Sequence, residues 1–372
     1  MAIMLIMLGG LLDPIAQEYG VPAMAAAVIQ QDDLIAMGVT GTRTQGEDSP
    51  VTEGDLWHVG SCTKSMTAAL CATAVEEGLL RWDTTPGEAF PELEDAIDPA
   101  LEGITLEMLL RHRAGLDPYT EPTPELEEFL GSLEVLEPRK QRMVATAKVL
   151  SEPPLHEPGT TYEYSNMGYT VATAMVERAL DESWEDLILE RVLQPLGIHG
   201  AQVGFPAADD DSPQPWGHLP TEDGFQPWPP SEHYALPPVI APAGDLSLTI
   251  QDFAVWSMWY LVGAAGEDTP ILTAESFEKL TDGVPTQGDG LSQYAMGIAP
   301  MALAGHEVLW HNGSAGTFFA WMTILPEEEA AIVVATNAGG DDAEAACKAA
   351  TLKLIEEIVD KVPGEAMEAG GG

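Results

Sequence analysis

Three short stretches of the chain carry side chains capable of covalent chemistry. In the first, Gly60-Ser61-Cys62-Thr63-Lys64 runs into Ser65-Met66-Thr67-Ala68-Ala69-Leu70, which reads as a helix opened by the serine. Ser61 and Lys64 are three residues apart, the spacing that places two side chains on one helical face. The N–H groups of a first helical turn also lack partners within the helix and lie beside such a hydroxyl. A serine hydroxyl is a weak nucleophile near neutral pH and needs an adjacent base, which a partly desolvated Lys64 amine supplies. The competing reading is an N-cap serine with a solvated lysine.

The second stretch, Pro158 to Tyr169, is a turn leading into a helix, with Tyr164 and Asn166 on either side of Ser165. A phenol titrates near ~10, but a neighbouring ammonium favours its anion, so Tyr164 placed beside Lys64 is expected to take the Ser61 proton. Asn166 is expected to hold a substrate carbonyl. Taken alone, the stretch is an aromatic helix entry with an Asn turn residue. The third, Trp310-His311-Asn312-Gly313-Ser314-Ala315-Gly316-Thr317, lies between two strand-like runs. Gly313 lets a substrate approach the backbone, and the main-chain N–H of Ser314 can join that of Ser61 to hold a developing oxyanion. His311 is expected to face the leaving group or a carboxylate. Alone, this stretch is a β-turn with a satisfied histidine.

In this order the three stretches resemble the serine β-lactamase and penicillin-binding superfamily. They are most similar to its class C β-lactamase, DD-peptidase and esterase branch, whose second motif is Tyr-x-Asn, as in Tyr164-Ser165-Asn166. Leu109 to Leu116, Gln194 to Ile198 and Ala243 to Ser247 support the resemblance in order and approximate spacing. The resemblance implies that Ser61 is the acylated nucleophile, that Lys64 and Tyr164 share proton transfer, and that Asn166 orients the acyl amide or ester. It also implies an oxyanion hole made by the N–H groups of Ser61 and Ser314. One departure stands out: His311-Asn312-Gly313 occupies the place of Lys-Thr-Gly in the class C lactamases, a pattern more like the DD-peptidases and esterases of the branch. Histidine is only partly charged near neutrality and holds a β-lactam or peptide carboxylate less securely than lysine does. The implied activity is a serine hydrolase that works through an acyl-enzyme on a small-molecule ester, amide, peptide or β-lactam, with no metal or organic cofactor. Two alternatives stay open, a β-lactamase or penicillin-binding enzyme proper and a non-catalytic ligand-binding protein of the same fold.

The elements that must position these groups follow from hydrophobic periodicity and breakers. Leu8, Leu11, Leu12, Ile15 and Tyr19 recur at helical spacing until Gly20 and Pro22 stop the pattern. Met24 to Val39 reads as a β-hairpin turning at Gln30-Gln31-Asp32-Asp33. Helices are expected over Ser61–Leu80, Thr105–Arg113, Pro124–Leu130, Arg139–Leu150, Gly168–Leu180, Trp184–Leu193 and Leu248–Leu261. Strands are expected over Tyr294–Ala299, Glu307–His311, Thr317–Leu325 and Ala330–Thr336, and a last helix over Asp342–Val359. Ten prolines between His199 and Ala243, interspersed with Trp216, Phe225, Trp228 and Tyr234, predict a long loop without regular elements that could form a pocket wall or lid. The arrangement predicts an α+β fold, an antiparallel sheet flanked by helices with a mostly helical domain inserted. Its boundaries are 1–60 with 243–372 for the sheet domain and 61–242 for the helical one, including the Pro-rich loop 200–242. The Gly364–Gly372 tail is expected to fray.

Composition narrows the functions further. The chain has 372 residues, of which 60 are Asp or Glu and 15 are Lys or Arg, for a formal charge of −45. No basic cluster exists to displace counterions, so nucleic acid and anionic lipid are excluded as expected partners. An acidic coat of this density suits a salty medium, where screening shortens self-repulsion. Met1–Leu12 lacks a basic n-region and is too short to span a bilayer, so neither membrane insertion nor a signal peptide is expected of it. Cys62, Cys71 and Cys347 form no disulfide framework and are expected as buried thiols. His306 and His311 miss the zinc motif His-Glu-x-x-His by one residue, and Asn312 to Gly316 lacks the first glycine of a Gly-x-Ser-x-Gly elbow. The remaining histidines, His58, His112, His156, His199, His218 and His233, are assigned structural or surface places.

Overall fold

A computed structural model describes residues 6–120, 123–232, 235–286, 292–359 and 361. Its centre is a seven-stranded sheet. The strands are β1 (Ile6–Met7), β2 (Ala23–Gln30), β3 (Asp33–Gly41), β4 (Ala299–Leu303), β5 (His306–Ser314), β6 (Phe319–Leu325) and β7 (Ala330–Thr336). They lie in the order β1-β3-β2-β7-β6-β5-β4, every pairing antiparallel except the short β1–β3 contact. The two ends of the chain therefore meet where β2 pairs with β7, Ala27 opposite Val333. The fold is α+β, an antiparallel sheet packed by helices.

Both central strands are buried along their whole length. Alternation still operates, but it divides the residues between two cores rather than between core and water. Ala25, Ala27, Val333 and Ala335 face one cluster, and Met24, Ala26, Ile332 and Val334 face the other. The first face meets helix α5 (Ile250–Ala264), and the second meets α1 (Gly9–Tyr19) and α6 (Asp341–Leu354). Alanines on the α5 side leave room for its Phe253, Trp256 and Tyr260, all fully buried.

Beyond α5 lies α2 (Thr63–Glu76), buried from Thr63 to Ala74. A helix buried on every side has no solvent face, so most of its polar residues find partners in the protein. Thr67 donates to the Pro242 carbonyl at 2.7 Å and accepts from Trp184 Nε1 at 3.1 Å, while Ser65 accepts from Trp256 Nε1 at 3.0 Å. Helix α4 (Asn166–Leu180) packs on α2, and α3 (Pro138–Leu150) packs on α4.

Between α3 and α4, fully buried Arg142 binds Glu177 at 2.5 Å and Glu185 at 2.7 Å, and donates to the Pro238 carbonyl at 2.9 Å. Arg142→Ala leaves the buried Glu177 carboxylate without its counter-charge. It is expected to cost about 3–5 kcal/mol, read as a lower midpoint in urea.

Several expected elements differ from those observed. The N-terminal helix and the hairpin over Met24–Val39 are present, but residues 1–5 lie outside the described residues. The helix expected over Thr105–Arg113 shrinks to Leu106–Leu110, because His112 takes a left-handed conformation at φ 58°. The helices expected to end at Leu193 and Val359 continue into those ends as π-helical turns. The helix expected from Leu248 begins at Ile250, since Leu246–Thr249 is a strand and Thr249 caps the helix by accepting from Asp252 N.

The strand expected over Tyr294–Ala299 is two strands, Gln293–Tyr294 and β4, split at Gly297 with φ 78°. The Pro-rich stretch is not free of regular structure. His218–Thr221 and Gly224–Pro227 form a two-stranded hairpin, which tolerates Pro220 and Pro227 because a ribbon leaves one edge of each strand unpaired. His218 anchors it, its Nδ1 2.7 Å from the Asn337 carbonyl. His233, Tyr234 and the tail expected to fray lie outside the described residues.

Candidate active site

The site forms where the first turn ahead of α2, the loop before α4 and the end of β5 converge. Ser61 sits in a 3₁₀ turn, Gly60–Cys62, and Lys64 follows one turn on, in α2. Gly60 has φ 50°, and a Cβ there would lie 2.4 Å from Ser314 N. A Cβ on Gly313 would lie 2.0 Å from the Val59 carbonyl and 2.6 Å from Ser61 N. Only glycine at both positions lets β5 come this near the turn, and the closeness brings the N–H groups of Ser61 and Ser314 together. The pairing of β4 with β5 ends at Ala299 opposite Trp310, so His311 to Ser314 run on past the end of β4. Gly297 presses against the other side of α2, where a Cβ would lie 2.5 Å from Ser65 N and 2.6 Å from the Lys64 carbonyl.

Lys64 is fully buried, and its Nζ has three oxygen neighbours: the Ala243 carbonyl at 2.8 Å, Asn166 Oδ1 at 2.9 Å and Ser61 Oγ at 3.3 Å. Burial pushes its pKa down to about 7. A neutral amine has two N–H donors and one lone pair. With the two carbonyl oxygens taking the donors, the lone pair is left for the Ser61 hydroxyl. Asn166 is held in turn by its Nδ2, which donates to the Tyr119 carbonyl at 3.1 Å. The Arg142 network reaches this point from behind, since it holds Pro238, and Thr170 holds the Val239 carbonyl at 2.7 Å, a few residues before Ala243.

Tyr164 stands with its ring centroid 4.6 Å from Lys64 Nζ, facing the cleft beside Ser61. Burial raises the Tyr164 pKa above its ordinary value, outweighing the pull of the Ser61 hydroxyl toward the phenolate. This reverses the direction expected from the sequence, where the Lys64 ammonium was to favour a phenolate. Desolvation acts on both groups, leaving Lys64 as the easily neutralised amine and Tyr164 as the phenol.

His311 also differs from expectation. Its Nδ1 lies 2.5 Å from the Asn312 carbonyl and its Nε2 lies 3.1 Å from Tyr294 OH, so both ring nitrogens are engaged within the protein. Burial lowers its pKa to about 4, with the Lys64 charge adding to the effect. At neutral pH it is an uncharged imidazole, not the partly charged group that the sequence suggested. The cleft in front of Ser61 is a cavity of about 830 Å³, lined by Tyr162, Tyr164, Tyr294, Trp310, His311 and Gly313 among others.

Three further groups come into place that sequence spacing did not single out. His112 accepts from Ser165 N at 3.0 Å and lies against Tyr164 with centroids 4.4 Å apart. Its left-handed φ is what turns it beneath Tyr164. His58 accepts from Gly60 N at 3.3 Å and pairs with Asp245 at 3.0 Å, bracing the residue ahead of Ser61. Tyr294 holds His311. The available signals were a histidine two residues before Gly60 and the Ala243 to Ser247 segment that contains Asp245. Neither signal names its partner.

The Beta-lactamase family model matches residues 8–355. The chain belongs to the β-lactamase family. Among its relatives is "Penicillin-binding protein 4" of Amycolatopsis lactamdurans, 27% identical over 88% of this chain and 84% of that protein. In fold it is similar to an octameric penicillin-binding protein homologue from Pyrococcus abyssi, with a TM-score of 0.75 and 23% identity over 95% of this chain and 78% of that one. It is likewise similar to the D-amino acid amidase of Ochrobactrum anthropi SV3, with a TM-score of 0.73 and 22% identity over 93% and 95% of the two chains. The membership makes it a β-lactamase-related hydrolase, within the branch that joins class C lactamases, penicillin-binding proteins and esterases. Among the described residues, no helix is long and apolar enough to cross a membrane.

Proposed function

We propose that this family member is a serine hydrolase that cleaves esters or amides through an acyl-enzyme on Ser61. The observation that carries the proposal is the surrounding of Lys64 Nζ: two carbonyl acceptors, the Ser61 hydroxyl, and burial that brings its pKa to about 7. In the first half-reaction the Ser61 proton passes to the Lys64 lone pair as Oγ bonds to the substrate carbonyl carbon. The charge that develops on the carbonyl oxygen is met by the N–H groups of Ser61 and Ser314. Tyr164, kept as a phenol, gives its proton to the leaving oxygen or nitrogen and recovers one from the Lys64 ammonium, so that the acyl ester forms and both groups are restored. Water then attacks the ester with Lys64 again as base. Asn166 holds the Lys64 amine in register and faces the acyl carbonyl, and His311 and Gly313 form the edge against which the substrate lies.

The test is labelling followed by mass spectrometry. Exposure to a fluorophosphonate should place one adduct on Ser61, and p-nitrophenyl esters should give a burst of nitrophenol. A folded protein that takes no adduct from a fluorophosphonate, a p-nitrophenyl ester or nitrocefin would instead be a ligand-binding member of the family.

A further inference from the structure

The wall of the cleft says more than the reacting groups do. On one side it is apolar and aromatic, with Tyr162, Tyr294, Met301, Trp310 and Phe319. Its remaining members are hydroxyls, side-chain amides, small residues, Pro300 and the His311 imidazole, and no described lining residue is a carboxylate, a guanidinium or an ammonium. The nearest basic groups are committed elsewhere. Lys64 is buried behind Ser61 with its Nζ among three oxygens, and Tyr294 and the Asn312 carbonyl take both nitrogens of His311. Arg113, which donates to the Pro285 and Gly159 carbonyls, keeps its charge but is not among the described residues that line the cavity.

A substrate carboxylate in this cavity would exchange water for a surface with no counter-ion, an uncompensated desolvation. It would also approach a protein of formal charge −45. Apolar and aromatic groups lose nothing by entering and gain ring contacts.

Resting on the acyl-enzyme reading of Ser61, we infer that the cleft selects against a substrate carboxylate and takes esters or amides whose cavity-filling part is apolar or aromatic. Peptides with a free C-terminus and β-lactams with a ring carboxylate are thereby disfavoured.

The experiment compares matched aryl esters, with a methyl or a carboxylate group on the ring, placed either in the acyl part or in the leaving alcohol. Fluorophosphonate labelling of Ser61 comes first, because its failure would remove the underlying acyl-enzyme reading rather than this inference. With labelling present, the neutral ester should exceed the carboxylated one in kcat/KM by about 10²-fold in at least one series. The gap should persist in 1 M NaCl, where the screening length is only about 3 Å and the surface field is removed. Met301→Lys, an unbranched replacement of similar length on the wall, should narrow the gap for the carboxylate by about tenfold. Carboxylated esters turned over as fast as neutral ones in both series, a gap that vanishes in salt, or an unchanged gap in a labelled Met301→Lys protein would each overturn the inference.

Discussion

Ser61→Ala is expected to lower kcat/KM for an aryl ester by roughly 10⁴-fold or more, the scale on which a serine hydrolase loses activity with its covalent nucleophile. The fold should survive the change. Ser61 is partly exposed to the cleft, and the hydrogen bond its side chain makes, with Lys64 at 3.3 Å, belongs to the site. The thermal midpoint is therefore expected to stay near that of the wild type, within the narrow range of most surface substitutions.

The neighbouring serine hydroxyls are occupied elsewhere, Ser314 in the same cleft giving its own to the Phe318 carbonyl at 2.8 Å. Ser65 is buried, with its hydroxyl given to the Cys62 carbonyl at 2.7 Å, and Ser165 caps α4 by accepting from Gly168 N at 3.0 Å. Residual activity near wild-type rates in the purified variant would mean that the acyl group is carried by another residue, and the mechanism built on Ser61 would be wrong.

The contrast between what spacing reveals and what it hides follows from the range of the interactions. The Ser61–Lys64 pair is legible because a separation of three residues fixes a shared helical face whatever surrounds the helix. The hairpin over Met24–Val39 and the strands β6 and β7 are legible for the same reason, since runs of small and β-branched residues between turn signals describe strands locally. Gly297 is not legible in this way. It reads as part of a strand until α2 is placed against it, and only the backbone of Lys64 and Ser65 makes its missing Cβ a requirement.

The protonation of the site was hidden for a related reason. From sequence, a tyrosine beside a lysine suggests a phenolate, because charge proximity is the only effect in view. Burial of both groups is a property of the packed structure, and in Tyr164 and Lys64 it outweighs the proximity of opposite charge. The Pro-rich stretch misled in the opposite direction. Its prolines argue against a central strand, but a two-stranded ribbon pinned by His218 never asks them for a second set of hydrogen bonds.

The pH dependence of kcat/KM is where these arguments become a measurement. If neutral Lys64 is the base, the active form of the free enzyme accumulates as pH rises through about 7. The rate should then fall by about tenfold for each unit below that value and level off above it. His311 cannot produce such a limb, because burial has already made it neutral down to about 4. Lys64→Met keeps the length and packing of the side chain without the amine. It is expected to lower kcat by ~10²–10⁴-fold and to abolish the limb near 7, leaving a nearly flat profile. Tyr164→Phe should cost a similar factor while keeping the limb, since the phenol passes a proton on but does not set the ionisation of the base. A limb of opposite slope, with activity falling as pH rises through 7, would make the ammonium the active form. Lys64 would then act by holding charge on the substrate, and the proton of Ser61 would have to leave by Tyr164 alone.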